Sequence, residues 1–401
     1  MKLDRASLYY ISYNLNIFSG GLVTLFINLF VLATSSLLGV ILFNILYYTG
    51  LEIALFGCAY GVTRVDPKDF YIVGNLIRAI TLISLLAAAS LISNILVFGL
   101  LYGISIGTFW LGNNILSSDI SAGIDRRGFV YRNNLIGSVV SFIAPTLAGL
   151  MIEYAPYTGS LKFAYDFAAA CVMLIASAYV ISLVKMQKAD RPLNFSMRHI
   201  RIKHDGYGIY KANFFLSQVF YIPYSILLPI YVFEITHSYT LTGVYGSLLL
   251  FVAIFANYLG RVRTAAWRNI SRILVAGAVG SSLLLLAPGI ISPLLAIFAF
   301  SVVFTLAYTP FNNQVTSNFM ELIDRGSKNR VYYWLNREFY LYVGRFASLA
   351  AVALLLFESP SNATYVLYGF PLTVLYCLTY LKAAERITDK APQPALPNAM
   401  R

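Results

Sequence analysis

The chain has 401 residues, of which 59% are hydrophobic and only 11% charged, with a formal net charge of +12. Soluble domains carry about a quarter charged residues, so an ordinary soluble fold is excluded. Apolar runs of about 20 residues, enough to cross a ~30 Å hydrocarbon layer, recur from end to end and predict an all-α integral membrane protein.

In chain order the runs predict spans at 8–32, 39–62, 70–91, 94–118, 131–152 and 163–185. A polar connector follows at 186–208, MQKADRPLNFSMRHIRIKHDGYG. Six more spans are expected at 209–233, 241–260, 271–289, 292–316, 332–357 and 363–383, twelve transmembrane helices in all. The first run is too long for a removable signal peptide and lacks a small-residue cleavage site. Alternate connectors carry the bases: Arg64 and Lys68, Arg126 and Arg127, the 186–208 cluster, Arg261, Arg263 and Arg268, then Arg325, Lys328 and Arg330. The opposite connectors carry Lys162 alone. By the positive-inside rule both termini are expected in the cytoplasm, with the protein in the cell membrane. The positive charge is thereby accounted for, and its spread over many short loops argues against a nucleic-acid surface.

Several function classes find no residues to support them. Cys58, Cys171 and Cys377 each stand alone inside a span, so neither disulfide nor metal site is expected. His199 and His204 lie in the connector and His237 in a short loop, without ligand spacing. No GxxxxGK phosphate loop occurs, so no ATP hydrolysis is expected of this chain. An enzyme would need His, Asp or Glu clustered at one membrane level, and a receptor or scaffold a larger soluble part than a 23-residue connector. No cofactor or partner protein is called for, and a monomer is expected.

A repeat runs through the chain. Shifted by 199, Asn113, Asn114, Ser118, Ile124, Asp125 and Arg126 meet Asn312, Asn313, Ser317, Ile323, Asp324 and Arg325. Phe109/Tyr308, Ser117/Thr316 and Asp119/Asn318 are close substitutions, and Phe56, Gly61 and Arg64 meet Phe255, Gly260 and Arg263. With a small gap, Asn75 and Arg78 meet Asn269 and Arg272. Polar matches at the same ends of corresponding spans indicate a duplicated six-helix unit in parallel topology.

This arrangement resembles the major facilitator superfamily of secondary transporters over essentially the whole chain. The family's loop after its second helix typically reads GxxxDRxGRR. Here Gly61-Val-Thr-Arg-Val-Asp66-Pro-Lys68 keeps a glycine, an acid and a base, with the acid displaced by one position. After span 8, Gly260-Arg-Val-Arg263 has bases and no acid. Span 5 carries Gly137-x6-Ala144-Pro145-x2-Ala148-Gly149, similar to a relaxed GPxxGG pattern of the family's exporters. The resemblance implies two pseudo-symmetric six-helix bundles, 1–185 and 209–401, joined by a cytoplasmic linker at 186–208. It also implies a central path lined by spans 1, 4, 7 and 10.

Helical spacing places Phe109, Asn113 and Ser117 on one face of span 4, and Tyr308, Asn312 and Thr316 on the matching face of span 10. Span 1 offers Asn14, Gly21 and Asn28; span 7 offers Asn213, Ser217, Tyr221 and Tyr224. Amides in a bilayer need partners or water. Two readings of Asn113 and Asn312 stay open, a substrate cavity and interhelical glue, whereas Asn114 and Asn313, one step round, read as glue. Trp110, Phe109, Tyr221, Tyr224 and Tyr308 offer faces for an aromatic or cationic compound, or simply pack. Pro223 and Pro229 are expected to interrupt span 7, Pro310 to bend span 10 and Pro145 to break span 5.

Deep charges are few, and each has to be explained. Arg78 is expected to snorkel towards the cytoplasmic surface. Glu52 in span 2 and Arg345 in span 11 predict an ion pair across the seam between the bundles, with Glu338, seven residues from Arg345, as a competing partner. Asp66 joins these three as a coupling or gating candidate. The pair reads either as a latch neutralising two buried charges or as a proton site. Together these features predict a secondary transporter working by alternating access, exporting small apolar or cationic compounds in exchange for protons. The alternative is proton-driven import of a neutral metabolite such as a sugar or nucleoside.

Overall fold

A computed structural model describes residues 5–62, 64–87, 95–121, 126–184, 207–261, 276–277, 280–281, 292–326 and 330–358. Ten segments among these residues are long and apolar enough to cross a membrane. Helices α1 (Arg5–Thr34), α2 (Leu37–Ala59), α3 (Pro67–Ala87) and α4 (Ile95–Ile120) match the first four expected spans. The fifth span divides into α5 (Arg126–Ser141) and α6 (Ala144–Glu153). Pro145 causes the division: it occupies the first turn of α6, where a missing N–H is harmless, and cannot continue α5. A 3₁₀ turn (Gly159–Phe163) leads into α7 (Ala164–Ser182), the sixth span.

In the C-terminal half, α8 (Tyr207–Thr236), α9 (Tyr239–Arg261), α10 (Pro293–Gly326) and α11 (Arg330–Glu358) are spans 7, 8, 10 and 11. Span 12, most of span 9 and all but the last two residues of the connector lie outside the described residues, as do Asn269, Arg272 and Cys377. Pro223, Pro229 and Pro310 lie inside helices that run on past them, so the expected interruption of span 7 does not occur. Each still removes one backbone hydrogen bond, but the neighbouring turns hold the helix together.

Consecutive spans run in opposite directions, with α5 and α6 together making one span, which defines a terminal face, where α1 begins, and a far face. Lys68 and Arg261 stand at the terminal face, at the start of α3 and the end of α9; Lys162 stands at the far face. Inside the N-terminal half, α1 packs on α7, α3 on α4 and α7, and α2 on α4. The α2–α4 contact is intimate because Gly103 meets the Tyr47 carbonyl, leaving no room for a Cβ. A satisfied polar chain ties α1, α3 and α7. The Asn16 amide donates to Asn75 Oδ1 (2.6 Å), the Asn75 amide to Ser177 Oγ (3.0 Å), and Ser12 Oγ to the Ser177 carbonyl (2.8 Å). Arg78, expected to snorkel, is instead buried mid-helix. Its Nε donates to the Tyr102 hydroxyl (3.1 Å) and its guanidinium lies 5.2 Å from that ring, because its face of α3 meets α4 rather than lipid.

Two seams join the halves. In the first, α6 and α5 meet α9, and α5 meets α10; in the second, α2 meets α11. Gly149 and Gly243 let α6 and α9 touch backbone to backbone: a Cβ on Gly149 would overlap the Tyr239 carbonyl, and one on Gly243 the Pro145 carbonyl.

Candidate functional site

The first seam is held by polar groups along most of its length. Near the terminal half of the membrane, the Asn134 amide donates to Asn313 Oδ1 (2.7 Å), the Asn313 amide to Asn257 Oδ1, and the Asn257 amide to Ser138 Oγ (3.2 Å). The Tyr131 hydroxyl donates to the Pro310 carbonyl (3.2 Å). Higher up, Thr146 Oγ1 donates to Ser247 Oγ (2.7 Å). At the far face, Glu153 Oε2 accepts from the Tyr239 (2.6 Å) and Thr240 (3.2 Å) amides and from Ser238 Oγ (3.3 Å). The carboxylate of α6 thus caps the N-terminus of α9, an arrangement favoured by unsatisfied amides and the helix dipole.

The second seam carries the deep charges. Glu52 lies at mid-depth on α2 and is 7% exposed; neither carboxyl oxygen has a hydrogen-bond partner. Arg345 and Glu338 on α11 are within its electrostatic reach. The expected direct Glu52–Arg345 pair is not formed. Arg345 Nε donates to Gln218 Oε1 on α8 (2.9 Å), its guanidinium lies over the Tyr48 ring (4.9 Å), and Nη2 stands 3.9 Å from Glu338 Oε2. These contacts hold the guanidinium away from Glu52 and leave Nη1 buried without a partner. Glu338 is itself engaged more closely by Arg337 Nη1, at 2.7 Å. Thr49 Oγ1 and the Tyr342 hydroxyl, 3.3 Å apart, close the seam one turn away.

Beside this cluster stands an aromatic wall from α8 and α10. Tyr221 stacks on Tyr308 (centroids 5.3 Å apart, planes 13°), and Tyr308 on Phe304 (5.4 Å, 11°). Tyr224 joins at Phe304 (4.8 Å) and Tyr221 (6.4 Å). Tyr221 is 37% exposed. Asn312, one turn beyond Tyr308 on the same face of α10, is exposed as well.

The other residues singled out in the sequence fall in several places. Asn213 and Ser217 are buried on α8, Ser217 bonded back to the Phe214 carbonyl (2.9 Å). Asn14 is half-buried: its amide donates to the Tyr10 carbonyl (2.8 Å) while Oδ1 lacks a partner. Phe109, expected on the central path, is instead 2% exposed and lies against Tyr71 of α3 (4.6 Å). Asn113 accepts from the Tyr9 hydroxyl of α1 (3.1 Å). Asn28 accepts from the Asn44 amide (2.8 Å), within the N-terminal half. Asp66 accepts from the Lys68 amide (3.1 Å), capping α3 at the terminal face. The sequence reading missed Gln218, Arg337 and Tyr48. Gln218 and Arg337 were detectable as long polar side chains in apolar runs, each needing a partner; nothing local distinguished Tyr48 from other membrane tyrosines. Among the described residues no group of three or more His, Cys, Asp or Glu comes together.

Comparison with known proteins agrees with this architecture. The chain is 23% identical over 325 residues to "Uncharacterized protein YqgE" of Bacillus subtilis (strain 168), covering 73% of this chain and 72% of that one. Its fold is similar to that of FucP, a major facilitator superfamily transporter in the outward conformation, with a TM-score of 0.66 and 12% identity over 95% of this chain and 97% of that one. It is also similar to a bacterial homologue of the iron transporter ferroportin in the inward-facing state (TM-score 0.68, 13% identity, 95% and 99% covered). The proton:xylose symporter XylE gives 0.65, with 12% identity and 94% of each chain covered. The family model for the Major Facilitator Superfamily matches residues 9–336. The chain is therefore a membrane transporter of the major facilitator superfamily.

Proposed function

We propose that this transporter works by alternating access, its halves 1–185 and 209–401 rocking about the two seams, and exports small apolar or cationic compounds in exchange for protons. The observation that carries the reading is Glu52, a buried carboxyl without hydrogen bonds at the seam, beside an aromatic wall that includes the exposed Tyr221. A carboxylate at mid-membrane depth needs a proton or a cation as company, and exchanging one for the other is antiport. Aromatic faces add cation–π attraction for the arriving compound. The basic residues at the terminal face support cytoplasmic termini in a plasma-membrane protein.

The test is pH-gradient-driven uptake of a lipophilic aromatic cation into inside-out vesicles. Wild type is expected to accumulate the cation, and Glu52→Gln to lower accumulation about tenfold, a loss of about 1.4 kcal/mol of coupling. Undiminished accumulation in the variant removes Glu52 from coupling. No accumulation by correctly inserted wild type favours the second reading, import of a neutral hydroxylated metabolite. That reading rests on the exposed Asn312 and the unpartnered Oδ1 of Asn14, since amides suit hydroxyl groups.

A further inference from the structure

The charges at the second seam do not add up to two closed pairs. Arg337 and Glu338 satisfy each other at 2.7 Å. Arg345 stands 3.9 Å from Glu338 Oε2, whereas Glu52 forms no ion pair and lies within reach of both charges of α11. Both oxygens of Glu52 and Nη1 of Arg345 are buried and without partners. Unpartnered buried charged groups are costly, and two of opposite sign, held apart by fixed contacts, define a complementary guest. Gln218, the Tyr48 ring and Glu338 hold the guanidinium, so it does not close on Glu52.

We infer that this seam binds zwitterions: the ammonium of the substrate on Glu52, its carboxylate on Arg345, and an aromatic or apolar body against Tyr221 and Tyr308. This deepens the transport reading and rests on it, because the cationic group still meets Glu52. A bare cation would satisfy Glu52, leave Nη1 of Arg345 unpartnered and add a net charge to the membrane interior. A zwitterion satisfies both ends and adds none. The groups fit chemically: a carboxylate accepts from a guanidinium N–H, and an ammonium donates to a carboxylate. The aromatic wall beside these charges suits a flat substituent.

The test is equilibrium binding to the full-length protein in nanodiscs, without any gradient. The probes are phenylalanine, phenylalaninamide (cation only) and N-acetylphenylalanine (anion only), with tryptophan and leucine repeating the series on other bodies. Wild type is expected to bind the zwitterions about tenfold or more tightly than either singly charged analogue, since a charge-assisted bond is lost each way. Arg345→Gln should erase the preference for the free carboxylate, so that amide and parent bind alike. Glu52→Gln should erase the preference for the free amine, so that N-acetyl compound and parent bind alike. The wild-type series needs no variant, so misfolding of either variant leaves the proposal testable. Tighter binding of the amide than of the parent overturns it, and so does absence of binding by every zwitterion. Because the assay has no gradient, its failure beside intact cation accumulation in vesicles refutes the zwitterion alone. Zwitterion binding without driven flux refutes the coupling instead.

Discussion

At the scale of single residues, the two asparagine pairs of the repeat show how one sequence signal separates into different environments. Asn113 is buried and bonded to Tyr9, whereas its repeat partner Asn312 is exposed. Asn313 is buried and bridges Asn134 and Asn257 across the first seam. Asn313→Ala strands two amides and is expected to cost about 1 kcal/mol, in line with interhelical hydrogen bonds in membranes. The check is the melting temperature in detergent, with Asn312→Ala alongside. Asn312→Ala is expected to leave melting unchanged and to weaken substrate affinity in flux assays. Equal melting of both variants would remove Asn313 from the seam's stability. Asn312 and Asn313 were identifiable as important in the sequence because amides are conspicuous in lipid; which of them bridges and which stays open depends on a 100° step round the helix.

At the scale of elements, glycine and proline shape the first seam. Pro145 divides the fifth span, and Gly149 and Gly243 then allow α6 and α9 to touch. Gly243→Val inserts a branched side chain where the Pro145 carbonyl already lies, and overpacking of this kind costs about 1–3 kcal/mol. Gly57→Val is the control, since a Cβ at Gly57 meets nothing within 4 Å. Lowered thermal stability of the first variant alone is the expected outcome; matching stabilities would mean that α6 and α9 separate at little cost. The division at Pro145 was legible from proline's missing N–H. The continuity of α8 through Pro223 and Pro229 was not, because neighbouring helices decide whether a proline bends a membrane helix or ends it.

At the scale of the whole molecule, the proposed rocking requires at least one seam to open at one face. Thr146 and Ser247 meet across the first seam at 2.7 Å between their hydroxyl oxygens, which makes the two positions candidates for a cross-link. Cysteines at both positions, in a chain whose Cys58, Cys171 and Cys377 are replaced by Ala, are expected to cross-link on oxidation. Flux should then stop and return on reduction. Full flux through the cross-linked protein would show that α6 and α9 stay together throughout the cycle. The acid cap of Glu153 on α9 lies at the far-face end of the same seam, so Glu153→Gln should weaken closure there and speed labelling of a cysteine placed at Tyr221.

The sequence by itself determined the membrane class, the family resemblance and, among the described residues, the positions of the spans to within a few residues, except that the helix of span 10 runs ten residues past its expected end. Those signals are local: each is a sum of transfer free energies along one run, or a charge at the end of one run. The tertiary structure alone decided which partner each polar side chain takes. Glu52 and Arg345 were both visible as deep charges, but Gln218, Tyr48 and Glu338 hold the arginine and leave the acid unpaired. Phe109 and Tyr308 are repeat equivalents, yet one is enclosed against α3 and the other stacks in the aromatic wall. Partner choice follows from helix rotation and crossing, which are set by small-residue contacts between segments far apart in the chain, and no local window of sequence contains them.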